Sequence, residues 1–174
     1  MGGAKIVVVA NVNGILSCLY LCSGDNQTWS IPGGGMEPKD QNQEACARRE
    51  LEEEAGMQGR IEHLGGISYL YVYEGEPNSY QSPRQIDPHD KSEYTYPDGP
   101  DRPPREDAYE HIDEIWAPLE EFPSDFINSS NARGYVRGRC DADWDRCVRP
   151  HIDKIKRMVP HLVSEQYTLK ARLL

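Results

Sequence analysis

Three consecutive glycines, Gly33, Gly34 and Gly35, lead into a stretch crowded with carboxylates that stops at Gly56. This segment constrains the fold most, because it calls for a tight turn feeding one helix with two unlike faces. Ala47, Leu51 and Ala55 recur every four residues and form the stripe that faces a core. Glu50, Glu53 and Glu54 stand at i, i+3 and i+4, which places them on one face of a helix predicted over about 43–55. Like charges at this spacing cost a helix roughly 0.2–0.5 kcal/mol per pair. A bound cation removes that penalty. Oxygen donors of this kind suit Mg²⁺, which keeps several waters and also takes phosphate oxygens. Arg49 lies four residues before Glu53 and can pair with it, and Gly56 supplies the positive φ that ends a helix.

The rest of the chain divides by character. Residues 4–11 are β-branched and apolar, as in a strand buried on both faces. Asn13-Gly14 is a hairpin-turn pair, and residues 15–22 form the return strand. Ile67 to Tyr73 is aromatic and strand-like, and 109–117 returns to strand character. Between them, residues 75–107 are rich in Pro, Gly, Asp, Ser and Arg and read as a loop insertion, either loose or covering a site. Its Tyr80, Tyr94 and Tyr96 could stack on a base or sugar. Trp144, Val148, Ile152, Ile155 and Val159 mark an apolar stripe on a C-terminal helix at about 141–165, disturbed by Pro150 and Pro160. One motif in 174 residues points to a single domain, 1–174.

A net charge of −10 argues against generic nucleic-acid binding. The five cysteines are odd in number and lack a C-x-x-C pair, which fits free thiols in a reducing compartment better than a zinc site. The N-terminus has no signal-peptide layout, its apolar run is too short for a membrane span, and Ile6 breaks a myristoylation pattern. The expectation is a cytoplasmic protein with no membrane partner.

The order Arg49-Glu50-Leu51-x-Glu53-Glu54-x-Gly56-Met57 resembles the back half of the Nudix box, the signature of the Nudix hydrolases. The front half departs from it. Counting back from Arg49 puts Gly35 at the family's glycine and Gln41 at its first glutamate. Counting forward from Gly34 puts Asp40 there, with one extra residue before Arg49, a reading that keeps a carboxylate. Trp29-Ser30-Ile31-Pro32 is similar to the entry of many members, and Glu110 to Glu121 resembles their late strand ending in Trp-x-Pro-Leu-x-Glu. The resemblance covers roughly residues 4–122.

It implies an α/β fold, a Nudix-type α/β/α sandwich with a mixed central sheet. It implies that Glu50, Glu53 and Glu54 bind the metal, Mg²⁺ with Mn²⁺ as a substitute, and that Arg49 orients one of them. The reaction expected is hydrolysis of a diphosphate linkage in a nucleoside diphosphate derivative or related polyphosphate. Glu53 is the favoured base, with a carboxylate from another loop as the alternative. Glu114 is a candidate for that second carboxylate, though an exposed strand-end role is the simpler reading. Gly34, Gly35, Trp29 and Arg137 are the expected substrate contacts. Gly-Gly-Gly-Met-Glu-Pro at 33–38 has some likeness to diphosphoinositol and diadenosine polyphosphate hydrolases. The cations of 133–157, Arg137 among them, either read extra phosphates or line a solvated surface. A homodimer fits the family, though no residue marks one. The competing class is a non-catalytic Nudix domain that binds a nucleotide or a protein.

Overall fold

The computed structural model describes residues 2–25, 27–86, 106–130 and 139–163. The apolar run at the N-terminus becomes β1 (Gly3–Val12), and β2 (Ile15–Ser23) returns against it. Their hairpin uses left-handed backbone at Asn13 and Gly14, and Asn11 Oδ1 accepts the Gly14 N–H at 2.9 Å. β3 (Trp29–Ser30) pairs with β2, and β4 (Gly33–Gly35) pairs with the start of β1. β5 (Glu62–Gly65) and β6 (Ser68–Val72) form a second hairpin, and β7 (His111–Pro118) runs antiparallel to β2. β6 lies parallel to β1, so the sheet is mixed, in the order β3-β2-β1-β6-β5 with β4 and β7 joined at its sides.

Alternation along β1 explains why the run had to be apolar throughout. Ile6 and Val8 point into one core, and Val7 and Val9 into another. The first core is covered by α1 (Gln43–Glu50) through Cys46 and Ala47, and by Leu51 just after it. The second is covered by the C-terminal segment through Cys140, Cys147, Val148, Ile155 and Val159. The fold is therefore α/β with a helical layer on each face. Cys18 and Cys22 share the second face, and all five cysteines are buried free thiols.

Both predicted helices differ from regular ones. α1 ends at Glu50, and Leu51–Ala55 continues as one wider π turn that closes on Gly56 at φ 69°. The expected C-terminal helix is broken into α3 (Arg139–Asp143), a π turn (Trp144–Val148), a 3₁₀ turn holding Pro150, and α4 (Ile152–Met158). Proline has no N–H to give and clashes with the preceding turn, so the winding resets at Pro150 and ends before Pro160. α2 (Pro123–Ser129) precedes them. Among the described residues no helix is long and apolar enough to cross a membrane.

Asn42 caps α1 with extended backbone, its Oδ1 accepting the Ala45 N–H at 2.8 Å. Asn42→Ala should cost about 1 kcal/mol of stability. Asn42→Ser should recover most of it. Thermal unfolding of the three proteins checks this.

Candidate active site

The site forms where β4 passes the end of α1. Gly34 lies so close to Glu50 that a β-carbon there would stand 2.6 Å from Glu50 Oε1, so a side chain at 34 would displace that carboxylate. At Gly35 nothing lies within 4 Å of the missing side chain, so the space on that side of the strand is open.

Arg49 organises the carboxylates. It is 10% exposed and gives Nε and Nη2 to the two oxygens of Asp40 at 3.0 and 2.8 Å, a bidentate pair. Its Nη1 reaches Glu50 Oε1 at 2.8 Å and Glu53 Oε2 at 3.2 Å, and Nη2 also donates to the Gly35 carbonyl at 3.0 Å. The Arg49 guanidinium holds the Asp40 carboxyl down at about 2, and the carboxylates raise Arg49 in return. Of the two alignments left open by the sequence, the structure brings Asp40 to Arg49 and leaves Gln41 exposed.

The three box glutamates are not equivalent. Glu50 and Glu54 are nearly buried, with side chains 12% and 11% exposed, whereas Glu53 is 44% exposed and also stands 4.0 Å from Lys39. Regular α winding would keep all three on one face. The π turn widens the winding after Glu50 and leaves Glu53 turned outward toward Arg49 and Lys39. Burial and the neighbouring Glu50 carboxyl push Glu54 well above the usual carboxylate range. Its Oε1 accepts the Gly33 N–H at 3.2 Å, and its Oε2 lies 3.4 Å from His111 Nε2. His111 is pushed down to about 4 by burial and by Arg139 and Arg84, so at neutral pH it brings no positive charge. No three acidic, histidine or cysteine side chains converge on one point among the described residues.

Glu114 sits on β7 rather than at an exposed strand end. Burial raises its pKa, but hydrogen bonds from Arg84 (3.2 Å) and from the Ser82 N–H outweigh this and lower it. Those bonds tie Glu114 to the segment beginning the insertion. Tyr80 belongs to the same segment: its hydroxyl donates to the Ala55 carbonyl at 2.7 Å, and its ring packs with Tyr73 and Trp116. Tyr94, Tyr96 and Arg137 lie outside the described residues.

Trp29 requires a correction. It is 0% exposed and belongs to the core under the C-terminal segment, because alternation on β3 sends it inward. It is a packing residue and not a surface for substrate. His111 has no mark in the sequence, since a lone histidine beside Glu110 carries no spacing signal.

A family model described as NUDIX domain matches residues 3–137. Two mouse proteins, diphosphoinositol polyphosphate phosphohydrolases 3-alpha and 3-beta, are each 46% identical over 39 residues, which is 22% of this chain. That match spans only 23% of the length of either mouse protein. Among solved structures, the NUDIX domain of Shewanella oneidensis NrtR complexed with ADP ribose is 15% identical with a TM-score of 0.46, covering 94% of this chain and 90% of that one. A Caenorhabditis elegans Ap4A hydrolase binary complex is 16% identical with a TM-score of 0.44, covering 72% and 85%.

Proposed function

The chain belongs to the Nudix family of hydrolases, and we propose that it hydrolyses a diphosphate linkage in a nucleoside diphosphate derivative or related polyphosphate, with water attacking phosphorus. The observation that carries this reading is the nearly buried Glu50–Glu54 pair, two carboxyls packed together beneath the glycine turn, with side chains 12% and 11% exposed. No cation pairs directly with Glu54 among the described residues, and the hard oxygen donors of the pair fit Mg²⁺ or Mn²⁺. Glu50 and Glu54 would hold the ion, with Glu53, turned outward beside them, facing the waters it keeps. Once bound, it would supply charge neutralisation for the diphosphate and a more acidic water.

The chain's own residues do the rest. Arg49, fixed by Asp40, holds Glu50 and Glu53 in place. Glu53 is the most accessible of the three and is the carboxylate proposed to take the proton from the attacking water. The open space at the missing side chain of Gly35 would admit the phosphate. Glu114 is engaged by Arg84 and Ser82 and is a weaker candidate for the base.

The nucleotide side of the range is favoured over a densely phosphorylated inositol. Arg149 pairs with Asp145 and Lys156 with Glu120, while Lys154 donates to the Leu64 carbonyl, so these cations are already engaged. A cytoplasmic location and a homodimer are part of the same proposal.

The test is a substrate panel with Mg²⁺ or Mn²⁺: ADP-ribose, nucleotide sugars, dinucleoside polyphosphates, nucleoside triphosphates and a diphosphoinositol phosphate. Metal-dependent cleavage of a nucleotide, with heavy oxygen from water appearing on one phosphate product, is the expected result. Silence across the panel with both metals would turn the assignment toward a binding domain.

A further inference from the structure

The sheet makes a specific provision for His111. Pairing between β2 and β7 runs regularly from Ser17 opposite Pro118 to Cys22 opposite Asp113, then jumps to Ser23 opposite His111. Ile112 is the extra residue of a β-bulge. In the regular part of β7, Trp116 faces the α1 side, while Ile115 and Ala117 face the other core. Unbroken alternation would carry residue 112 to the α1 side and residue 111 away from it. The structure shows the reverse. Ile112 enters the far core, and His111 reaches Glu54. Bulges next to functional sites re-aim side chains in this way.

The re-aimed imidazole completes a bracket around the carboxyl pair. Arg49 holds Glu50 from one side at 2.8 Å. On the other side, Gly33 donates to Glu54 Oε1 at 3.2 Å, and His111 Nε2 lies 3.4 Å from Oε2. Oε1 of Glu54 therefore accepts a hydrogen bond, and Oε2 faces the imidazole. The imidazole is 10% exposed, so water competes poorly for the place.

We propose that His111 is a positioning residue: by holding Glu54 Oε2 it keeps Glu54 beside Glu50 in the arrangement that takes up a divalent cation. This rests on the reading of Glu50 and Glu54 as cation ligands. Outer partners of metal-binding carboxylates commonly set affinity without touching the ion.

Three substitutions test it in the full chain. His111→Gln places an amide N–H near the position of Nε2. His111→Asn has the same polarity but reaches only as far as Nδ1. His111→Leu fills the space without a donor. Mn²⁺ affinity is measured by calorimetry and by electron paramagnetic resonance of the free ion, with melting temperature recorded beside it. Affinity should fall about 10–100-fold for Asn and Leu and stay close to that of the unaltered protein for Gln. If His111→Leu does not fold, the Gln and Asn pair decides, since they differ by one methylene.

Equal affinity across the variants would make His111 a space-filling residue and overturn the proposal. Equal losses in Gln and Asn would show that the imidazole itself is required, which also overturns it. So would losses that follow melting temperature instead of side-chain reach. Failure of the unaltered protein to bind Mn²⁺ would overturn the reading of Glu50 and Glu54 together with the role of His111. Tight binding with indifferent variants would remove the His111 role alone.

Discussion

Glu53→Gln is expected to lower kcat by about 10²–10⁴-fold, the range for losing a positioned general base. At 1.36 kcal/mol per tenfold, that is about 3–5 kcal/mol of barrier. Binding of substrate should change far less, because the amide keeps the size of the side chain. Stability should hardly move. Glu53 is nearly half exposed, and Arg49 keeps its bonds to Asp40 and Glu50 when the charge at 53 is removed. Steady-state kinetics on the best panel substrate, with thermal melting as control, separates the two effects. A rate preserved within about tenfold would move the base to another carboxylate.

Trp29→Ala is the second large effect, and it should appear in stability. Removing a wholly buried tryptophan costs about 3–5 kcal/mol. In a chain of this length each kcal/mol shifts the melting temperature by roughly 2–4 °C, so the fall should be about 6–20 °C. Trp29 contributes to the core with Ile31, Tyr20 and Cys140, away from the carboxylates. Any folded protein at low temperature should therefore keep its KM. A raised KM with an unchanged melting temperature would restore Trp29 as a ligand contact.

Much of the site was legible because charge and periodicity are local properties. Four-residue spacing set the apolar face of α1, and the ordered carboxylates set its acidic side. The unbroken apolar run of β1 signalled a sheet covered on both faces. What escaped the sequence depended on contacts between distant segments. Asp40 and Gln41 were both admissible by counting, keeping a carboxylate favoured Asp40, and the bonds from Arg49 tie Asp40 to the helix. Trp29 sits in a familiar motif, yet strand alternation turns it inward. His111 depends on a bulge that no propensity encodes. Glu114 looked like a strand-end charge until Arg84 and Ser82, some thirty residues earlier, closed on it.

The π turn at Leu51–Ala55 has a further consequence, for which changes of length this segment can absorb. Surface loops take insertions and deletions readily, and regular helices can lose a residue near an end. Here the wider turn fixes the rotational phase of everything after Glu50. A single deletion between 51 and 55 would remove the extra residue and restore ordinary winding with the downstream phase kept, whereas an insertion there would rotate the following side chains by about 100°. Glu54 would leave Glu50, and Gly56 would no longer fall at the stop. Among relatives of this chain, added residues should therefore collect before Asn42 and after Gly59, and a count one shorter between Arg49 and Gly56 should come with regular α winding there.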